Sequence, residues 1–171
     1  NETSKKNNSE NVPSTDKVNE LISLYKNGET EKALKETEVL IAQFPNSALL
    51  FNIYGACHFS SQNYDAAIKN YKKAIELRPD YADAYNDLGR VYAHFHDWKT
   101  AVNYYDKAIL INDKNSQYHL NRGNALNEQG LADAIYSYKK VLELDPKNFH
   151  ALNNLGLAYS DIGENDAALE N

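Results

Sequence analysis

Methionine is absent from the 171 residues, and cysteine and tryptophan occur once each, as Cys57 and Trp98. A single cysteine excludes an internal disulfide framework and a cysteine-rich zinc site. With only seven glycines and four prolines, a collagen-like or Pro/Gly-rich disordered chain is excluded too. Apolar runs are short. None approaches the roughly 20 residues of a membrane span, so no membrane span is expected. Basic residues are outnumbered, 18 Lys and Arg against 24 Asp and Glu, for a formal net charge of −6. Binding to nucleic acid through phosphate neutralisation needs a basic face, so no nucleic-acid partner is expected. A chain that starts at Asn1 and holds no Met is expected to be a processed product or a piece of a longer one. The balance is 42% hydrophobic and 25% charged, the composition of a globular chain of about one domain.

What is present is periodic. Gly55, Gly89, Gly123 and Gly156 are spaced by 34, 34 and 33 residues. Ala33, Ala67, Ala101, Ala134 and Ala168 step by 34, 34, 33 and 34, and Pro45, Pro79 and Pro146 keep the same beat with Asp113 in the skipped slot. A fixed period of this length marks a repeat architecture. The units are 14–47, 48–81, 82–115, 116–148 and an incomplete 149–171. The one short step falls in the turn around Gly130, since the glycine-to-alanine spacing drops from 12 to 11 only there.

Each unit predicts two helices. Phe51, Tyr54, Gly55 and His58, like Tyr85, Leu88, Gly89 and Tyr92, follow the i, i+3, i+4, i+7 stripe of an amphipathic helix. A polar turn follows, then a second stripe: Ala67, Ile68, Tyr71, Ala74 and Ile75, or Ala101, Val102, Tyr105, Ala108 and Ile109. The prolines end the second helix because proline lacks an N–H and crowds the turn before it. Gly at the eighth position and Ala at the twentieth are expected to let the two helices approach closely, with the large aromatics filling the space between hairpins.

This pattern resembles the tetratricopeptide repeat (TPR): a large residue at position 4, Leu-Gly at 7–8, Tyr at 11, Ala at 20, an aromatic at 24, Ala at 27 and Pro at 32. Unit 82–115 matches with Tyr85, Leu88-Gly89, Tyr92, Ala101, Tyr105 and Ala108. The resemblance implies an all-α fold, a right-handed superhelical α-solenoid of stacked helix-turn-helix hairpins over 14–171. Unit 14–47 departs from it with Lys17, Glu20 and Leu21, and 116–148 with His119 and Arg122. The first helix of 14–47 is therefore expected to be degenerate, a cap. Residues 1–13 are polar and expected to be a disordered tail. Asn171 falls inside a second helix, so an uncapped C-terminal face is expected, available for self-association.

Chemistry is sought and not found. There is no phosphate loop, dinucleotide fingerprint or nucleophile elbow. His94 and His96 are two apart and point to different sides of a helix end, a poor metal pair even with Asp97 and Cys57. His58 and His119 lie on core stripes, and Cys57 reads as a small buried hydrophobe. Asp83 and Asp87 read as solvated surface. No catalytic centre, metal or cofactor is expected.

A partner is expected instead. The resemblance implies that the first helix of each unit lines a concave face. Helix phase puts positions 2, 6, 9 and 13 opposite the packed stripe, flanked by 5 and 12. Those slots hold Asn52, then Asp83, Asn86, Asp87 and Arg90, then Gln117, Asn121, Asn124, Asn127 and Glu128, then His150, Asn153, Asn154 and Asp161. An asparagine amide both donates and accepts, so it can pair with a peptide backbone without reading side chains. Asn121 and Asn154, both at position 6, resemble the start of the asparagine ladder of O-GlcNAc transferases, with Asp87 and Ile53 interrupting it. The slots that hold a chaperone carboxylate in other members carry Asn86, Arg90, Asn121, His150 and Asn154, a poor match. The expected function is a scaffold that binds a protein or peptide segment in the groove. Two alternatives are a substrate-recruiting segment of a larger bacterial glycosyltransferase or sulfotransferase, and a self-assembling structural protein. The cytoplasm is the default compartment.

Overall fold

The structure is a computed structural model that describes residues 12–130 and 132–161, with Asp161 as backbone alone. The tail expected over 1–13 lies outside the described residues up to 11, and so does the second helix expected after Gly163. Among the described residues there are nine helices and no strand: α1 Thr15–Lys26, α2 Thr30–Gln43, α3 Ala48–Ser60, α4 Tyr64–Leu77, α5 Ala82–His94, α6 Trp98–Ile111, α7 Ser116–Asn127, α8 Asp133–Leu144 and α9 Phe149–Asp161. None of these is long and apolar enough to cross a membrane. The helices follow the repeat, one hairpin to each of the first four units, with α9 the first helix of the fifth. α2, α4 and α8 stop two residues before Pro45, Pro79 and Pro146, as the missing N–H dictates. α6 stops at Ile111 without a proline, its C-cap Asn112 turning to extended backbone.

The hairpins form two compact units, one up to Tyr81 and one from Ala82. In the first, α1 packs on α2 and α3, and α3 on α2 and α4. Val18, Leu21, Leu24, Ala33, Leu40, Leu50, Ile53 and Cys57 make its core. In the second, α5 packs on α6 and α7, α7 on α6, α8 and α9, and α9 on α8. Leu120, Leu126, Tyr138, Val141, Ala151 and Leu155 form its larger core cluster.

Side-chain caps begin most helices. Ser14, Ser47, Asn63, Asp97 and Asn115 accept from the backbone N–H two or three residues on, each removing one orphan donor of the first turn. Between the two helices of every described hairpin, position 15 takes a left-handed backbone: Gly28 (φ 78°), Gln62 (φ 60°), His96 (φ 59°) and Gly130 (φ 67°). Glycine adopts this without strain; glutamine and histidine do not.

The glycines of the first helices earn their place inside the hairpin. A Cβ built on Gly55, Gly89 or Gly123 would stand 2.7 Å from the ring of Tyr71, Tyr105 or Tyr138 respectively. These tyrosines, at most 2% exposed, fill the gap inside their own hairpin. Tyr105 and Tyr138 share core clusters with the next repeat as well, Tyr105 with Ala125 and Tyr138 with Leu155 and Ala158, as expected of aromatics that fill the space between hairpins. In the first hairpin the slot is filled the other way round: Leu21 stands at the glycine position and Thr37 at the tyrosine position, both buried. Thr37 turns its hydroxyl back to donate to the Ala33 carbonyl at 2.6 Å. So α1 departs from the motif in its residues but not in its fold. It is a full 12-residue helix, capped by Ser14, that buries Val18, Leu21 and Leu24.

Candidate functional site

The polar slots meet on α5, α7 and α9, the first helices of the 82–161 unit. These helices lie side by side. One network runs from α7 to α5. Gln117 Nε2 donates to Asn121 Oδ1 at 2.8 Å, and Asn121 Nδ2 donates to Asn86 Oδ1 at 2.8 Å. Asn86 Nδ2 in turn reaches Asp87 Oδ1 at 3.4 Å, which also takes an N–H of Arg90 at 3.2 Å. At the same junction the Tyr118 hydroxyl donates to Asp83. Burial pushes the Tyr118 phenol well above its ordinary range, and the Asp83 carboxylate adds to it.

A second network runs from α9 to α7. Asn153 Nδ2 donates to Asn154 Oδ1 at 3.4 Å, and Asn154 Nδ2 donates to Asn124 Oδ1 at 2.8 Å. The same Asn124 oxygen accepts the Tyr138 hydroxyl at 3.1 Å. Beside it opens a cavity of about 350 Å³ lined by Asn124, Asn127, Glu128, Tyr138, Asn154 and Leu157. Burial raises the Tyr138 phenol to about 12, the Glu128 carboxylate adding to the shift.

Of the residues expected to line a groove, eleven thus fall into two hydrogen-bonded groups or line the cavity: Asp83, Asn86, Asp87, Arg90, Gln117, Asn121, Asn124, Asn127, Glu128, Asn153 and Asn154. His150 stands apart, exposed on the first turn of α9 with its ring edge-on to Phe149 at 6.0 Å. Asn52 belongs to the other unit and is 8% exposed. Asn86 is 6% exposed, so here position 5 faces inward and braces its neighbours, whereas Asn153 at the same position of the next-but-one unit is exposed.

Two lining residues escape the sequence argument. Leu157 sits at position 9, on the stripe that phase assigns to the groove, but is apolar. Tyr138 belongs to the core stripe of α8, and only its hydroxyl reaches the cavity. Arg122, which stands at a leucine slot, turns away from this face, its Nε donating to Asp106 at 2.6 Å and Nη1 to Ser137 at 2.8 Å. His119 is buried, its Nε2 2.9 Å from the Asp113 carbonyl oxygen. Cys57 is fully buried, and burial raises its thiol to about 11. Among the described residues no group of three or more His, Cys, Asp or Glu side chains is arranged to hold a metal ion.

Comparison with known proteins agrees with this architecture. Models described as "TPR repeat" match residues 55–94 and 131–163, and models described as "Tetratricopeptide repeat" match 82–112 and 22–47. The BBSome complex member BBS4 of Mus musculus is 29% identical over 144 residues, covering 83% of this chain but 28% of its own length. Among solved structures, MamA superposes with a TM-score of 0.78 at 23% identity over 86% of this chain and 87% of its own. YrrB, described as a TPR protein with an unusual peptide-binding site, does so with a TM-score of 0.71 at 24% identity, over 92% and 82%. With the 34-residue beat, the glycine–tyrosine hairpins and these matches together, the chain belongs to the tetratricopeptide-repeat family.

Proposed function

We propose that the α5–α7–α9 face binds an extended segment of a partner protein and performs no chemistry of its own. The observation that carries this is the pair of amide networks running across neighbouring first helices. Each fixes its asparagines in place while leaving part of their hydrogen-bonding capacity outward. Asn121, for example, uses one amide hydrogen on Asn86 and one lone pair on Gln117, and an amide has two of each. Rotamers already held by neighbours cost a ligand little ordering entropy. The family and the peptide-binding site ascribed to YrrB support the same reading. Asp83, Asp87, Arg90, Gln117, Asn121, Asn124, Asn127, Asn153 and Asn154 form the contact surface, with Asn86 bracing it and His150 outside it.

The magnitude is modest. A net hydrogen bond contributes roughly 0.5–1.5 kcal/mol, so a few of them, after the cost of ordering a peptide, give affinities of about micromolar. The test is to pan a displayed random-peptide library against the chain and measure the enriched peptides by fluorescence polarisation against wild type and an Asn121→Ala/Asn154→Ala variant. Binding is expected to fall by about tenfold or more. Because both amides bridge two helices, the variant is also expected to lose about 1–2 kcal/mol of stability, more than the small change a purely solvated pair would give. A retained affinity, or no enriched peptides at all, refutes the groove.

A further inference from the structure

We propose that the cavity at the C-terminal end of α7 is a pocket for one basic side chain, Lys or Arg, of the bound segment. This rests on the groove reading above and adds to it the charge of the partner.

The argument starts from the end of the helix. The last carbonyls of a helix carry a partial negative charge that favours a cation nearby. Among the first helices, α1 meets this with Lys26 in its last turn, and α9, like α7, has no basic residue there. α7 is followed at its C-cap by the carboxylate of Glu128. Glu128 is exposed and, among the described residues, pairs with no cation. The last carbonyls of α7 already accept from backbone N–H groups and, at Ala125, from Gln129 Nε2, which leaves the Glu128 carboxylate as the uncompensated negative charge at the cavity.

The walls fit a long cationic side chain. Leu157 is 55% exposed and offers an apolar surface for a methylene stem, which Lys and Arg bury readily while their heads stay polar. The Tyr138 hydroxyl spends its hydrogen on Asn124 Oδ1 and already takes a hydrogen bond from the Asn154 amide, so what it has left for the cavity is one acceptor position. Asn127 and Glu128 add further acceptors. Asn124 has its oxygen taken by two donors, Tyr138 and Asn154, and keeps its amide hydrogens for a backbone carbonyl of the partner. The division of labour is thus set: Asn124 holds the main chain, and Glu128 with Tyr138 reads the head group. At about 350 Å³ the space lies at the low end of ligand sites and suits one side chain. The remaining charges of the face agree, since Arg90 is engaged with Asp87 and leaves Asp83 and Glu128 in excess.

The test uses the whole chain and the peptides enriched from the displayed library. They are expected to share a Lys or Arg at one fixed position. Changing that residue to Gln in the peptide is expected to weaken binding by about three- to tenfold, the range of a partly exposed charged hydrogen bond, and less at high salt. Glu128→Gln in the protein is expected to abolish the difference between the two peptides. Glu128→Lys is expected to shift the preference at that position to Asp or Glu. Far-UV circular dichroism confirms that both variants keep their helices. Enriched peptides with no shared basic position overturn the proposal, and so does a Lys-over-Gln preference that survives Glu128→Gln. If Asn121→Ala/Asn154→Ala weakens binding while Glu128→Gln changes nothing, the basic pocket falls and the groove stands. If neither variant matters, or no peptide is enriched, both fall.

Discussion

Gly89→Ala is the most direct probe of how these hairpins close. The added Cβ would stand 2.7 Å from Tyr105 Cε1, 2.9 Å from its Cδ1 and 3.2 Å from the Ala101 carbonyl oxygen. Carbon atoms in contact prefer roughly 3.5–4.0 Å, so the ring must retreat by the better part of an ångström. Tyr105 is 2% exposed and has nowhere to go. Overpacking of this kind costs roughly 1–3 kcal/mol, and the better helix propensity of alanine offsets about 0.8–1.0 kcal/mol of it. The expected outcome is a destabilisation of up to about 2 kcal/mol, where the same exchange on an open helix would stabilise by about 1 kcal/mol. Urea unfolding followed by far-UV circular dichroism reads this as a lower midpoint at unchanged slope. In a Tyr105→Leu background the alanine meets no ring, so the exchange is expected to become neutral or stabilising. The double-mutant cycle should then show a coupling of about 1–2 kcal/mol. A Gly89→Ala protein more stable than wild type, or a coupling near zero, would refute the reasoning.

Gln62→Gly and His96→Gly relieve a left-handed backbone that costs an L-residue roughly 1–2 kcal/mol, less about 0.5–1 kcal/mol for glycine's freer unfolded chain. Each is expected to raise the urea midpoint by the equivalent of about 0.5–1 kcal/mol, and an unchanged or lower midpoint counts against the assignment. Alkali should unfold the protein early. Cys57, raised by burial from 9.0 to about 11, and Tyr138, raised from 10.0 to about 12, hold their protons more tightly folded than unfolded. Their contribution is full below about pH 9 and is lost as pH climbs through the folded values. Urea midpoints taken between pH 8 and 11 should fall only above about pH 9. For the same reason iodoacetamide should label Cys57 slowly at pH 8 until urea opens the core, and rapid labelling of the native protein would contradict its burial.

The fold was legible because three residue types kept one beat, and because proline ends a helix by covalent necessity. The ends of α2, α4 and α8 before their prolines therefore agree with the structure, but the shortened turn near Gly130 does not. α7 and α8 are joined by five residues, 128–132, where the other hairpins use three, and the lost length is taken from α8, 12 residues against 14 in α2, α4 and α6. The left-handed position was legible only where glycine fills it. At Gln62 and His96 the surrounding helices impose the conformation on residues that do not advertise it. Leu21 misled for a related reason: a size exchange with Thr37 preserves the packing while erasing the motif. Of the site, phase alone put Asp87, Asn121, Asn124 and Asn154 on one face. It could not tell that position 5 turns inward at Asn86, because a flanking position is decided by the neighbouring helix. Nor could it show that a core tyrosine on α8 delivers its hydroxyl to that face.

The inverted filling of the first hairpin has a consequence for how such chains are built. Large-with-small and small-with-large are both good solutions, but half of one joined to half of the other leaves either two bulky groups in collision or a void. Recombination within a hairpin, through the turns at Gly28 or Gln62, would therefore produce mismatched offspring, whereas exchange at the Pro45 or Pro79 junctions would move both halves of the lock together. The unit that can be shuffled is the closed hairpin, and the seams for cutting this protein into interchangeable parts are its prolines.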